Sequence, residues 1–157
     1  MIRLMHAKLH RAKVTACNLD YMGSLTIDPL WMEQIGLLPL EEIQVVNVTN
    51  ANRFVTYAIP GTAGKGEIEP NGACAHLCKV DDIVIIYAMQ SVERGDVVAG
   101  GHMAKVLVFG ADDSQELLHQ HLSTDGSAFR FDSQVIDSHG VDSQAVEVAL
   151  GVEAETA

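Results

Sequence analysis

Basic residues, aromatic residues and cysteines are all scarce in this sequence. Lys and Arg together number 10 against 21 Asp and Glu, which gives a net charge of −11 at pH 7. Such a field does not attract nucleic-acid phosphates or anionic lipid surfaces, so we expect neither as a partner. No apolar run approaches the length of about 18 residues that a membrane-spanning helix needs. The composition therefore argues against nucleic-acid-binding and membrane proteins.

The cysteine pattern argues against two further classes. Cys17, Cys74 and Cys78 are an odd number and too few for a disulfide scaffold, so we expect reduced thiols. Cys74 and Cys78 flank His76, but this spacing lacks the two short-spaced halves of a structural zinc site, and we expect no metal. Residues 1–8 lack a basic region followed by an apolar stretch and a cleavage site. We therefore expect a cytoplasmic protein.

The first 110 residues read as short strands separated by turns. Alternation over 8–17 places Lys8 and His10 on one strand face. One helix is predicted after Asp28, which can cap it, and before Gly36, which can end it. These elements predict a mainly β fold, a small closed barrel with one or two short helices. Runs of β-branched and aromatic residues predict the other strands, over 43–49, 53–59, 82–89 and 104–109.

The remaining 47 residues differ in charge from the rest of the chain. Residues 111–157 hold one basic and ten acidic side chains, whereas 1–110 hold nine basic and eleven acidic ones. We therefore predict a domain over 1–110 and an acidic, partly mobile C-terminal extension over 111–157. Within the extension, a short helix is predicted from Gln115 to Leu122.

Two motif-based functions find little support. The glycine-rich segment 61–72 lacks the order of a phosphate-binding loop, and no good helix follows Lys65, so a mobile hairpin loop is the better interpretation. Ser24, His10 and Asp28 could be combined into a hydrolase triad, but Ser24 lacks the G-x-S-x-G turn of such enzymes. Residue types alone leave a small β-barrel of unknown function.

Five ordered sequence blocks narrow the choice. They are KLHRAKVT (8–15), YMGSLTID (21–28), NRFVTYAI (52–59), NGACAH (71–76) and DDIVII (81–86). In this order and spacing the chain resembles the pyruvoyl-dependent aspartate 1-decarboxylases over about residues 1–90. The resemblance implies a double-psi β-barrel, a homotetramer with active sites between subunits, and conversion of L-aspartate to β-alanine and CO2 for pantothenate and coenzyme A biosynthesis.

The chemistry of decarboxylation explains why a Gly-Ser bond matters. Loss of an α-carboxylate leaves a carbanion, which needs an electron sink that no ordinary side chain supplies. The resemblance implies that Ser24 attacks the Gly23 carbonyl, that the chain cleaves itself between the two residues, and that Ser24 becomes the pyruvoyl group. Gly23 has no side chain to crowd the attacking hydroxyl. That group then forms a Schiff base with the substrate amine.

The same resemblance assigns roles to residues around this bond. Tyr57 matches the proton donor, and a tyrosine phenol keeps its proton at neutral pH. Thr56 matches a substrate contact that also assists cleavage, and Asn71 is assigned to the cleavage step. Thr56 and Tyr57 should lie on opposite faces of a simple strand.

Two cations are expected to compensate the two carboxylates of aspartate. Arg53 can bind one carboxylate with its planar fork, and Lys8 can bind the other as a compact charge. His10 and Tyr21 match residues that line the family's site. The family also has a loop whose backbone groups contact the substrate, and the matching residues here are Gly72, Ala73 and Cys74. Cys74 departs from the family pattern, which usually has alanine there.

Two alternatives stay open at this stage. The chain could be an unprocessed β-barrel that serves as a binding or regulatory module, which the long acidic extension favours. It could also be a pyruvoyl decarboxylase acting on another acidic amino acid, because one methylene is discriminated by only about 1–3 kcal/mol.

Overall fold

The protein is described by a computed structural model that covers residues 1–137, 140–144 and 150–151. The fold is mainly β, as predicted, and its strands form one sheet. The strands of the first 110 residues are β1 (Ile2–Lys13), β2 (Ser24–Ile27), β3 (Glu42–Asn47), β4 (Arg53–Pro60), β5 (Ile68–Asn71), β6 (Ile83–Val92) and β7 (His102–Phe109). The later strands are β8 (Gln115–Thr124), β9 (Ala128–Asp137), β10 (Gly140–Gln144) and β11 (Leu150–Gly151). The helices are α1 (Pro29–Ile35), α2 (Arg94–Gly100) and a 3-10 helix (Gly72–Leu77).

The strand order is β10-β9-β8-β7-β1-β6-β3-β4-β2-β5, with β11 paired to β9. This order is an open path, so the closed barrel remains an implication of the family resemblance. Two backbone hydrogen bonds nevertheless tie the segment after β1 to β5, from Thr15 N to Ile68 O (2.9 Å) and from Asn18 N to Pro70 O (3.1 Å). Strands β1 to β6 therefore curl around one apolar core, to which each of them contributes buried side chains.

Strand β1 is the centre of the sheet and contains an irregularity at Arg11. It pairs with β6 on one side and with β7 on the other. Arg11 adopts a left-handed φ of 66°, and the register with β6 shifts between His10 and Ala12. Lys8 and His10 share a face, as predicted, but the bulge turns Ala12 to the opposite, buried face. A simple alternation over 8–17 is therefore wrong beyond His10.

Helix α1 forms where the sequence predicts it. The Asp28 carboxylate accepts a hydrogen bond from Leu30 N (2.9 Å) and so caps the helix, which ends at Gly36 with φ 71°. The same carboxylate accepts from Gly64 N (3.2 Å) and Gly66 N (2.7 Å). The glycine-rich segment is thus anchored to the helix start, and its last part forms β5 rather than a mobile hairpin.

The predicted helix from Gln115 to Leu122 is wrong, because these residues belong to β8. This strand pairs antiparallel with β7 from Gln115 to Leu122, and β9 pairs with β8. The later part of the extension, which was expected to be partly mobile, lies largely outside the described residues. The proposed domain boundary at residue 110 falls in the turn between β7 and β8. Among the described residues, no helix could cross a membrane and no cluster of side chains is arranged to hold a metal ion.

We expect Asp28→Ala to lower the free energy of unfolding by about 2–4 kcal/mol, since it removes a helix cap and three hydrogen bonds from backbone N–H groups to a charged acceptor. Burial alone would raise the pKa of this carboxyl, but the three backbone donors lower it below 3.8. Its stabilising effect is therefore complete at neutral pH and is lost as the pH falls through that lowered pKa. Urea unfolding measures the change.

Asp112→Ala is a suitable control for this experiment. Asp112 also accepts hydrogen bonds in a turn, from Ser114, but its carboxylate is exposed to solvent. Little change in the urea midpoint is expected for it. Equal midpoints for the Asp28 and Asp112 variants would contradict the anchoring role of Asp28.

Candidate active site

The serine of the Gly23–Ser24 pair is buried and held by an asparagine. Ser24 begins β2, is 1% exposed and pairs with Asn71 at the end of β5. Asn71 Nδ2 donates to Ser24 Oγ (3.0 Å) and to Thr26 Oγ1 (2.9 Å). Ser24 Oγ in turn donates to the Met22 carbonyl (3.4 Å). The hydroxyl is therefore oriented beside the bond expected to be cleaved.

Gly72 packs directly against this bond. It has a left-handed φ of 60°, and a Cβ on it would lie 3.0 Å from Gly23 Cα, Gly23 N and Tyr21 O. Any side chain at position 72 would push the 21–23 segment away, so only glycine fits. Tyr21, Gly23, Ser24, Asn71 and Gly72 thus form one compact group, which we call the cleavage group. Ala73 and Cys74 follow in the 3-10 helix.

The end of this 3-10 helix is fixed by asparagines that the sequence analysis did not single out. The Leu77 carbonyl accepts hydrogen bonds from the side chains of Asn47 (3.3 Å), Asn50 (3.0 Å) and Asn52 (3.1 Å). Asn52 immediately precedes Arg53 on β4. The loop that carries Gly72 is therefore tied to the strand that carries Arg53 and Tyr57.

Two cysteines near this loop, Cys17 and Cys78, favour the thiol form. Burial raises the pKa of the Cys78 thiol to about 11, and burial likewise raises the pKa of Cys17. Cys74 is half-buried, and all three cysteines are unpaired. A thiol is a poor nucleophile compared with a thiolate, so the structure gives no reason to assign Cys17 or Cys78 to the chemistry.

A second group of predicted residues surrounds a separate cleft. Lys8 on β1 and Arg53 on β4 both line a cavity of about 330 Å3. Neither side chain forms an ion pair with an acidic residue in the described part of the chain. The cleft therefore offers two cations to a dianionic ligand. Its other lining residues are Met5, Val46, Ile85, Tyr87 and Met89.

His10 lies on the same face as Lys8, one row further along the sheet. It pairs with Ile85, a lining residue of the cleft. Its Nδ1 atom is buried and has no hydrogen-bond partner in the described residues. Burial, together with the charges of Lys8 and Arg11, lowers its pKa below 6.5. His10 is therefore neutral at pH 7.

Thr56 and Tyr57 lie on opposite faces of β4, as predicted. Exposure alternates along the strand: Arg53 and Tyr57 are exposed, whereas Thr56 is half-buried and pairs with the buried Ile43. Strand β2 pairs with β4 from Leu25 opposite Ala58, so Ser24 and Tyr57 occupy the preceding, neighbouring positions. Tyr57 thus lies beside the cleavage group, whereas no hydrogen bond links Thr56 to it within the described chain.

The two groups do not form one pocket within a single chain. Arg53 is four residues from Tyr57, the neighbour of Ser24, which is about 13 Å along a strand. Lys8 is still further from the cleavage group, because strands β6, β3 and β4 lie between β1, which carries Lys8, and β2, which carries Ser24. The cleavage group and the Lys8–Arg53 cleft are therefore two half-sites on one chain.

The sequence analysis missed a polar pair of which one member, Tyr87, lines the cleft. Tyr87 hydroxyl donates to Gln44 Oε1 (2.8 Å). The alternation of β6 could have indicated that Tyr87 faces the same side as Ile85. Its position next to Lys8 depends on the pairing of β1 with β6, which lie far apart in sequence.

Comparison with known proteins identifies the family of the chain. The aspartate decarboxylase family model matches residues 1–116. The aspartate 1-decarboxylase of Crocosphaera subtropica is 51% identical over 141 residues, which cover 87% of this chain and 93% of that protein. The aspartate 1-decarboxylase of Gloeothece citriformis is 46% identical, and the match covers 88% of this chain and 91% of that protein. The aspartate 1-decarboxylase of Synechocystis is 51% identical, and the match covers 77% of this chain and 82% of that protein. With most of its length matched and the Gly23–Ser24 bond held as described, the chain belongs to the aspartate decarboxylase family.

Proposed function

We propose that this protein decarboxylates L-aspartate to β-alanine and CO2 after cleaving itself between Gly23 and Ser24. The observation that carries the proposal is the buried Ser24 hydroxyl, held by Asn71 at 3.0 Å beside a glycine that packs on the bond. The named relatives, all aspartate 1-decarboxylases, support the same activity. The product is suited to pantothenate biosynthesis, and we propose that the enzyme works in the cytoplasm.

The cleavage step requires only atoms of the chain and water. Ser24 Oγ attacks the Gly23 carbonyl carbon, its proton passes to the departing Ser24 nitrogen, and the amide becomes an ester. Elimination then releases the Gly23 carboxylate, and hydrolysis of the remaining enamine releases ammonia. A donor near the Gly23 carbonyl would stabilise the oxyanion formed on the way, and we propose this role for Thr56, with Asn71 orienting the Ser24 hydroxyl. The cleaved chain then begins with a pyruvoyl group.

The residues around Ser24 fit such a group. Gly72 leaves free space at Gly23 that any Cβ would fill, and the Asn71 amide donor lies where the Ser24 oxygen would leave as part of the Gly23 carboxylate. When present, the pyruvoyl carbonyl supplies the electron sink for loss of CO2. Tyr57, on the neighbouring strand position, would donate the proton to the α-carbon.

We propose that the Lys8–Arg53 cleft binds the substrate carboxylates. Arg53 can form a bidentate contact and Lys8 a single charged contact, and neither is neutralised by an acidic neighbour in the described residues. His10 and Tyr21 would line the site, and the backbone of Gly72, Ala73 and Cys74 would contact the substrate from the cleavage group.

We propose a homotetramer in which neighbouring subunits complete each site. The support is the separation of the cleavage group from the cleft within one chain, by about 13 Å along β4. If the cleft of one subunit faces the cleavage group of another, all proposed contacts fall on one substrate. Such sharing is compatible with closed symmetry.

Denaturing mass spectrometry of the purified protein tests the proposal. We expect two fragments, 1–23 and 24–157, the larger one beginning with a carbonyl instead of an amine. The same sample should convert L-aspartate to β-alanine, measured by amino-acid chromatography. A chain that stays whole and inactive in every expression host would contradict the proposed function.

A further inference from the structure

A row of polar side chains, which we call the polar floor, runs along the cleft: Lys8 and Tyr87 line the cleft, and Gln44 lies next to Tyr87. Tyr87 on β6 pairs with Lys8 on one side and with Gln44 on the other. Directly opposed residues on a sheet have Cβ atoms about 4.5–5.5 Å apart, so the three side chains stand in a row. Lys8, Tyr87 and Gln44 therefore form a continuous polar line across β1, β6 and β3.

Arg53 lies at the other end of this line. It pairs with Val46, two residues after Gln44, and so is the diagonal neighbour of Gln44 across β3 and β4. Diagonal neighbours are about 7–8 Å apart, within reach of long side chains. A ligand that bridges Lys8 and Arg53 therefore passes beside Gln44, over the lining residues Tyr87, Ile85 and Val46.

The hydrogen bond within the floor determines what Gln44 offers to a ligand. Its amide oxygen accepts from the Tyr87 hydroxyl at 2.8 Å. Its amide nitrogen has no hydrogen-bond partner in the described part of the chain. An amide nitrogen carries two N–H donors and no acceptor, and a carboxylate is its complementary partner.

We propose that Gln44 is a third contact for the dicarboxylate substrate and that Tyr87 is a positioning residue that holds the Gln44 amide. The inference rests on the proposed function for the identity of the substrate. The interaction that the inference adds is limited to the binding of a carboxylate between Lys8 and Arg53. The cleft volume of about 330 Å3 is at the small end of ligand cavities, which suits a four-carbon dicarboxylate.

Succinate is a probe that separates binding from catalysis. It carries the two carboxylates of aspartate but has no amine, so it cannot react with a carbonyl group. Calorimetric titration of the purified full-length protein with succinate therefore reports on the cleft whether or not the protein is active. Failure of the proposed function would appear as absent β-alanine formation, and failure of this inference as unchanged succinate binding in the variants below.

Gln44→Leu and Tyr87→Phe are the two informative variants. Each should weaken succinate binding about tenfold, because a hydrogen bond to a charged group is lost or misdirected. In the active enzyme, each should raise the KM for aspartate by a similar factor while kcat stays within about twofold. Gln120→Leu makes the same substitution on β8, away from the cleft, and should change neither value.

The double variant tests whether Tyr87 acts through Gln44. With Leu at position 44, the further change Tyr87→Phe should cause no additional loss of succinate binding, because the residue to be positioned is absent. Losses that multiply would assign Tyr87 an independent contact and overturn the positioning role. Succinate affinity within twofold of the parental protein in Gln44→Leu would overturn the whole inference, even if the variant were less stable to urea.

Discussion

Ser24→Ala should leave the chain whole at 157 residues and abolish β-alanine formation. The substitution removes the one hydroxyl that Asn71 orients beside the Gly23 carbonyl, so neither the ester nor the new N-terminal group can form. Loss of an essential nucleophile eliminates the covalent route entirely, and we expect activity to fall below detection. Denaturing mass spectrometry and amino-acid chromatography measure the two effects on the same sample.

Ser91→Ala provides the matched control for this variant. Ser91 is exposed on β6 and lies in neither the cleavage group nor the cleft. The Ser91→Ala protein should cleave itself and decarboxylate aspartate like the parental protein. Appearance of fragments 1–23 and 24–157 in the Ser24→Ala protein would mean that another group cleaves the chain.

Tyr57→Phe should cleave normally but decarboxylate aspartate about 10²–10⁴-fold more slowly, the usual effect of losing a general acid. The phenylalanine ring preserves the apolar surface of Tyr57, which is 39% exposed, and removes only the phenolic proton. Because Ser24 and Asn71 are untouched, both fragments should appear in the mass spectrum. Rates of β-alanine formation at saturating aspartate give the size of the effect.

Comparison of the two variants separates the two chemical steps. Ser24→Ala blocks both cleavage and turnover, whereas Tyr57→Phe should block only turnover. Decarboxylation at the parental rate in Tyr57→Phe would transfer the role of proton donor to another group. An uncut Tyr57→Phe chain would instead place Tyr57 in the cleavage step.

Local signals were sufficient for one part of the fold and misleading for another. Helix α1 is specified by residues within it and at its ends, since Asp28 caps it and Gly36 ends it. The segment 115–122 also has leucines at helical spacing, yet it forms β8 because its backbone pairs with β7. The sheet overrides local preference there, and the bulge at Arg11 similarly depends on the pairing of β1 with β6.

The candidate site shows the same division between local and long-range information. Gly23, Ser24, Asn71 and Gly72 were assigned to the site through the five-block family resemblance, because the Gly-Ser pair alone is typical of an ordinary turn. The structure adds that these segments meet, with Asn71 on the Ser24 hydroxyl. The polar floor of the cleft could not be predicted, because Tyr87 and Gln44 come together only through the register of β6 with β3.

The central position of β1 has a consequence for the protein after cleavage. The fragment 1–23 contains all of β1, which is hydrogen-bonded to β6 and to β7. Breaking the Gly23–Ser24 bond would therefore not release it, and the two pieces should stay together until the sheet is disrupted. Once denatured, however, they are separate molecules, so renaturation becomes a second-order reaction whose yield depends on protein concentration. The uncut chain refolds as one molecule, so the proposed cleavage would make the fold of each subunit difficult to recover at high dilution.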